Sequence, residues 1–275
     1  MSLMLISVIC FAFANIFVKA HPEIPFYQWA FFRAGFILIF AYGFMKAKGI
    51  SALGNNRPLL VTRGIFGTIG IILYFYTVQN TSLGTATTIQ YLSPLFAVFI
   101  ALYFFKEPLN RNNFVAFLLA ICGVIVMKYS DITLTGKVTS IGVFAAVCSA
   151  IAYNCIRQLK STDHPMTVVF YFPLVTFPVT GVFVLNHWVT PDITGWIHVL
   201  IFCALNMLAQ YLMTISYQEN QVKTVSIVKY VGVIISFVIG WVGFNEPVTL
   251  SMSVGVLLIL GALYLNKPQK PAKTP

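Results

Sequence analysis

Apolar runs of about twenty residues alternate with short polar links along the whole chain, a pattern that predicts a bundle of membrane-crossing helices. The runs cover roughly 2–19, 26–45, 58–79, 83–104, 112–128, 137–158, 166–185, 195–217, 221–243 and 248–265. At about 1.5 Å of rise per residue each can cross a hydrocarbon core of about 30 Å. The links hold the helix breakers: His21-Pro22 and Pro25, Gly49 with Gly54-Asn55-Asn56, Glu107-Pro108, Asp163-His164-Pro165, Pro191 and Glu246-Pro247. Pro108 and Pro247 are expected in the first turn of the helix that follows, where a missing N–H costs nothing.

The pattern repeats. Shifting Leu83–Pro108 by 139 positions lands on Val222–Pro247, with Thr85 on Thr224, Tyr91 on Tyr230, Phe105 on Phe244 and Glu107-Pro108 on Glu246-Pro247. The same shift carries Asn15 to Asn154. An internal repeat decides architecture before any local reading does. Five spans per unit is an odd number, so the second unit enters the membrane upside down relative to the first. The expected fold is an all-α polytopic membrane protein of ten transmembrane helices in two inverted five-helix repeats, residues 1–135 and 136–267, followed by a flexible basic tail, 268–275. Inverted repeats of this kind typify secondary transporters, which hold cargo near the midplane at the repeat interface.

Composition agrees with this picture. The chain of 275 residues is 59% hydrophobic and 9% charged, against about 25% charged in soluble domains. The net charge of +10 sits in links and tail, so it speaks for membrane orientation and not for a nucleic-acid partner. With the N-terminus inside, eleven Lys and Arg fall on the cytoplasmic side and three (Lys19, Lys128, Lys137) on the other. That places both termini in the cytoplasm. The first twenty residues lack a basic start, and Asn15 belongs to the repeat, so they are expected to be a span and not a cleaved leader. The five cysteines lie inside apolar runs without paired spacing and are expected to be small packing residues.

Arg63-Gly64 at the start of the third span, Tyr91-Leu92-Ser93-Pro94 inside the fourth and Glu107-Pro108 after it resemble the drug/metabolite transporter superfamily, of the EamA type. The resemblance covers essentially the whole chain. The second half departs from it, with Val233 where the first half has Pro94 and Lys229 where it has Gln90. The resemblance implies an inner-membrane carrier of small organic metabolites, often an exporter, in a family whose cargoes include amino acids, nucleosides, vitamins, sugars and toxic compounds.

Candidate cargo contacts are polar residues at depth. Lys229 lies about eight residues into its span, near 12 Å deep, where a Lys costs about 2.5–3.5 kcal/mol on insertion scales. It is expected to face a cavity or a partner; it either binds an anionic group, or snorkels, or pairs with a helix-end carbonyl. Arg33 is equally deep, with Trp29 one turn away for a cation–π contact, and the resemblance places an Arg near this point in many members. Asn206, Gln210, Met213 and Tyr217 share one helix face. Asn15 and Asn154 are symmetric, flanking the cargo or bonding across the pseudo-twofold axis. Tyr91 and Tyr230 could sandwich an organic cargo. Gln90 and Pro94 share a face with Thr87, and Pro94 frees a backbone carbonyl. Tyr74 reaches toward the same region. Arg63, shallower, is assigned a gating or anchoring role, and Glu107 and Glu246 capping roles at span ends. His198 reads as an interfacial residue.

No acidic residue lies deep in a span, which favours facilitated diffusion or exchange over proton coupling through a buried carboxylate. No nucleophile–base pair, metal-ligand spacing or cofactor motif appears, so neither an enzyme nor a cofactor is expected. The partners are a small-molecule substrate and the lipid bilayer, with monomer and homodimer both open. The sequence therefore reads as an alternating-access carrier, an exporter or exchanger of amino-acid-like or other anionic, aromatic-bearing solutes. The alternatives are an exporter of uncharged hydrophobic compounds and a channel, which would need rings of polar residues.

Overall fold

The computed structural model describes residues 2–105, 111–130, 134–219 and 222–265. These form α1 (Ser2–Ala20), α2 (Phe26–Lys48), α3 (Arg57–Asn80), α4 (Leu83–Gln90), α5 (Ser93–Phe105), α6 (Arg111–Ser130), α7 (Gly136–Gln158), α8 (Pro165–Asn186), α9 (Ile193–Glu219), α10 (Val222–Phe244) and α11 (Leu250–Leu265), with a 3₁₀ turn, Leu159–Ser161, after α7. α4 and α5 share one span, so the described helices make ten spans. Among the described residues, six helices are individually long and apolar enough to cross a bilayer. The expected tail 268–275 and the Glu107-Pro108 pair lie outside the described residues.

Helix starts follow local chemistry. Each needs acceptors for backbone N–H groups that have no partner inside the helix. Asn56 accepts from Leu59 N ahead of α3, Ser82 from Thr85 N ahead of α4, and Thr135 from Val138 N ahead of α7. Asp192 and Thr249 do the same for Gly195 N and Met252 N. Thr249, not Pro247, therefore starts the last helix: Pro247 lies three residues before α11, which corrects its expected place in the first turn. α2 ends at Gly49, whose left-handed φ of 66° lets its own N–H and that of Ile50 return to Lys46 and Met45 carbonyls.

The fourth span is broken. Pro94 cannot donate to the Gln90 carbonyl, and the helix stops at Gln90, turns through Tyr91-Leu92, and restarts at Ser93. Its counterpart carries Val233 in place of that proline, and α10 runs unbroken from Val222 to Phe244. One copy is thus a pair of half-helices and the other a rod.

The packing is pseudo-symmetric. α3 lies on α7 as α9 lies on α1, α3 on α8 as α9 on α2, and α5 on α7 as α10 on α1; α2 packs against its own counterpart α8, and α6 against α11. The α6–α11 contact is close because Gly123 faces the Gly255 carbonyl and Ile259. In α3, Gly64 faces Val175 and the Tyr171 carbonyl of α8, while Gly70 faces Ser149 of α7. Small residues let helix backbones approach where lipid gives no hydrophobic drive. Large apolar side chains such as Leu185, Ile39 and Val242 point outward to the lipid.

Two polar latches join the halves at opposite faces. On the face of the N-terminus, Asp163 accepts from the backbone N–H of Asn55 and Asn56, at 2.6 and 3.2 Å, beside the start of α3. On the other face, both Glu246 carboxylate oxygens accept from Leu83 N, at 2.8 and 3.0 Å, and Oε1 pairs with Lys19 Nζ at 3.3 Å. Glu246 therefore caps α4 of the other half, where a carboxylate meets the positive helix end, and not the helix that follows it. Replacing Glu246 by Ala removes a charged acceptor from a half-buried N–H. The expected loss is about 1–3 kcal/mol, read as a lower midpoint in thermal unfolding of the purified protein. Glu23→Ala, at an exposed carboxylate on the same face, is the control and should leave the midpoint nearly unchanged.

Candidate functional site

Between the halves lies a cavity of about 100 Å³. α1, α2, α3, α4, α7, α8, α9 and α10 contribute to its wall, with Tyr91 at the break of the fourth span; α6 and α11 contribute nothing among the described residues. Arg33, Arg63 and Lys229 all line it, and among the described residues no Asp or Glu does.

The two arginines share an aromatic ring. Phe172 of α8 has the guanidinium carbon of Arg33 at 4.8 Å and that of Arg63 at 4.5 Å from its ring centroid. Gly67 makes room for this: a Cβ there would meet both the Arg63 guanidinium and the Phe172 ring. Arg33 Nη2 donates to Gln210 Oε1 at 2.7 Å. Arg33 Nε, Arg63 Nε and Arg63 Nη1 are buried without a hydrogen-bond partner among the described residues. Lys229 rests on different rings, its Nζ 3.9 Å from the Tyr153 centroid and 5.1 Å from that of Tyr217. The three cations are 3, 3 and 4% exposed, so water screens them little.

Neutral polar groups complete the wall. Asn15 Nδ2 donates to Tyr74 Oη at 2.7 Å, and Gln90 Nε2 to Ser149 Oγ at 2.8 Å. Asn206 donates to the Phe202 carbonyl of its own helix at 2.9 Å. Tyr91 is held where Gly232 of α10 leaves space for its hydroxyl.

The structure therefore brings together Lys229, Arg33, Asn15, Tyr74, Gln90, Tyr91, Asn206 and Gln210. It separates others from them. Asn154 points away from the cavity and donates to the Ala97 and Ala150 carbonyls at 2.9 and 3.1 Å, so the symmetric asparagines do different work. Tyr217 is fully buried behind Tyr153, stacked on it at 4.8 Å, and is not on the wall. Pro94 is off the wall too; its contribution is the break that places Tyr91. Arg63, expected to gate or anchor, lines the cavity as well. Trp29 packs edge-on against Phe202 at 4.8 Å, while the ring beside Arg33 is Phe172. The Tyr230 side chain and Glu107 lie outside what the structure describes. His198 Nδ1 meets His21 Nε2 at 2.7 Å near the Glu246 face, away from the wall.

Phe172, Tyr153 and Ser149 are wall residues that sequence reasoning missed. Phe172 is one of several phenylalanines in an apolar helix, and no sequence signal singles it out. Ser149, Ala152 and Tyr153 follow i, i+3, i+4 spacing, a face legible only once the rotation of α7 is known.

The sequence profile of the EamA-like transporter family matches the chain twice, over residues 1–129 and 137–266. The pseudopaline exporter CntI of Pseudomonas aeruginosa is 26% identical over 267 residues, spanning 94% of this chain and 93% of its own. The S-adenosylmethionine uptake transporter of Rickettsia bellii is 22% identical over 248 residues, spanning 90% of this chain and 85% of its own. A crystal structure with 17% identity superposes with a TM-score of 0.70 over 96% of this chain and 94% of that one, a likeness of fold.

Proposed function

The chain belongs to the EamA-like transporter family, and from that premise we propose that it is an alternating-access carrier that exports or exchanges amino-acid-like or other anionic, aromatic-bearing solutes. The observation that carries this reading is the cavity wall: three buried cations and, among the described residues, no carboxylate, drawn from both halves of the chain. A buried cation without a counter-ion is costly, and an anionic cargo supplies the counter-ion. Aromatic rings at Phe172, Tyr153, Tyr74 and Tyr91 offer area to an organic body. The relatives transport in both directions by name; export is favoured here by the similarity to the pseudopaline exporter. An uncharged hydrophobic cargo leaves the cations uncompensated.

In this proposal the halves 1–135 and 136–267 rock against each other, with the Asp163 and Glu246 latches at opposite ends of the path. The membrane is the inner membrane, and the excess of Lys and Arg in the links on the N-terminal face puts both termini in the cytoplasm. A green fluorescent protein fused to the C-terminus is then expected to fluoresce, and alkaline phosphatase fused there to stay inactive; the reverse pattern contradicts the orientation.

Counterflow tests the carrier reading. Proteoliposomes preloaded with an unlabelled anionic amino acid should transiently accumulate the same labelled solute above equilibrium, with saturation. Flux without saturation or counterflow indicates a channel.

A further inference from the structure

Resting on the carrier reading, we propose that the cargo carries two separated carboxylate groups, one bound by Arg33 and Arg63 at Phe172 and the other by Lys229 at Tyr153. The cations are divided between two aromatic rings on two helices, Phe172 of α8 and Tyr153 of α7. At the first pole three guanidinium nitrogens are buried with no partner among the described residues, and they point to an acceptor that the protein does not supply. Guanidinium forks match the two oxygens of a carboxylate. At the second pole the ammonium has aromatic faces beside it and, like the arginines, shares a wall free of acidic residues among those described. A single carboxylate gives a counter-ion to the cations on one ring and leaves those on the other without one. A phosphoryl group would concentrate its charges on one atom cluster, whereas here the cations rest on different rings carried by different helices.

The asymmetry of the repeat supports the division. Lys229 occupies the position where the first half has Gln90, so only one of the two symmetric places has a charge. Asn15, Tyr74 and Asn206 line the remainder of the wall with neutral groups, fitting an uncharged polar body between or beyond the carboxylates.

The test uses the purified full chain in detergent and measures affinities by thermal shift. The probes are succinate, glutarate and adipate, each at up to about 10 mM against its own monoamide at constant ionic strength, with pyrophosphate as the compact polyanion. At least one diacid is expected to bind about tenfold tighter than its monoamide. In Lys229→Met that preference should fall to within about twofold while monoamide affinity holds, and Lys229→Arg should retain it. If Lys229→Met fails to purify as a monodisperse species, Lys229→Gln takes its place, with the residue that the first half carries at the matching position and the same expected loss of preference. Equal binding of diacids and monoamides, no binding by any diacid, tighter binding of pyrophosphate than of every diacid, or undiminished preference in the uncharged variant overturns the proposal. Counterflow separates it from the carrier reading. Diacid binding without any counterflow sinks the carrier and leaves the two-pole site; counterflow of a solute lacking carboxylates sinks the two-pole site and leaves the carrier.

Discussion

Lys229→Ala is expected to abolish saturable transport while leaving the protein folded and at least as heat-stable as the wild type. The two effects have one cause. Lys229 is 4% exposed, with rings of Tyr153 and Tyr217 as neighbours and no carboxylate among the described residues of the cavity wall. A cation held this way costs the folded protein desolvation energy, about 2.5–3.5 kcal/mol for a Lys at mid-span on insertion scales. Removing it relieves that cost, so the thermal midpoint should hold or rise. Removing it also deletes one of the charges that an anionic cargo meets, about a tenfold loss of affinity, and with it the ion pair that holds the cargo through a productive transport cycle. Lys229→Arg should keep part of the flux, because it preserves the charge and stacks on a ring but changes length and shape. Initial rates in proteoliposomes, with melting curves of the same preparations, check both halves. Wild-type flux in a correctly inserted Lys229→Ala protein removes Lys229 from the site.

Arg63→Ala is expected to weaken cargo binding by roughly tenfold or more. The sequence placed Arg63 near a membrane face, in an anchoring or gating role, and such a role predicts an altered rate with affinity intact. Its burial, its place on the Phe172 ring and its unpartnered Nε and Nη1 predict a loss of affinity instead. A charge-assisted hydrogen bond contributes about 1.5–3 kcal/mol, which corresponds to roughly tenfold or more in Kd. Arg57, exposed at the start of α3, is the contrast: Arg57→Ala should leave Kd within about twofold. Equal behaviour of the two variants in equilibrium binding would return Arg63 to the interface.

The architecture was legible because the bilayer imposes it. A span needs about twenty apolar residues, and each expected span agrees with an observed one to within a few residues. The broken fourth span was also legible in part, since Pro94 marks it and Val233 marks its absence from the second copy. Lys229, Arg33, Asn206 and Gln210 stand out in the sequence as polar residues inside apolar runs, and the structure puts all four on one cavity wall. Rotation about each helix axis was not legible. Asn154 and Tyr153 are adjacent in sequence and equally deep, yet one bonds backbone carbonyls of the packed interior and the other faces the cavity. Neighbouring residues on a helix point about 100° apart, and apolar spans carry no polar face to fix which direction is inward.

The sequence by itself determined the number of spans and their inversion, because chain length and hydrophobic run act along one axis. The tertiary structure alone decided which groups meet: Arg33 and Arg63 on one ring, Lys229 on another, Tyr217 behind Tyr153, Glu246 on the far half's helix end. Those are contacts between helices distant in sequence, set by how small residues such as Gly67 and Gly232 let the helices approach and turn. No pattern within a single span encodes them.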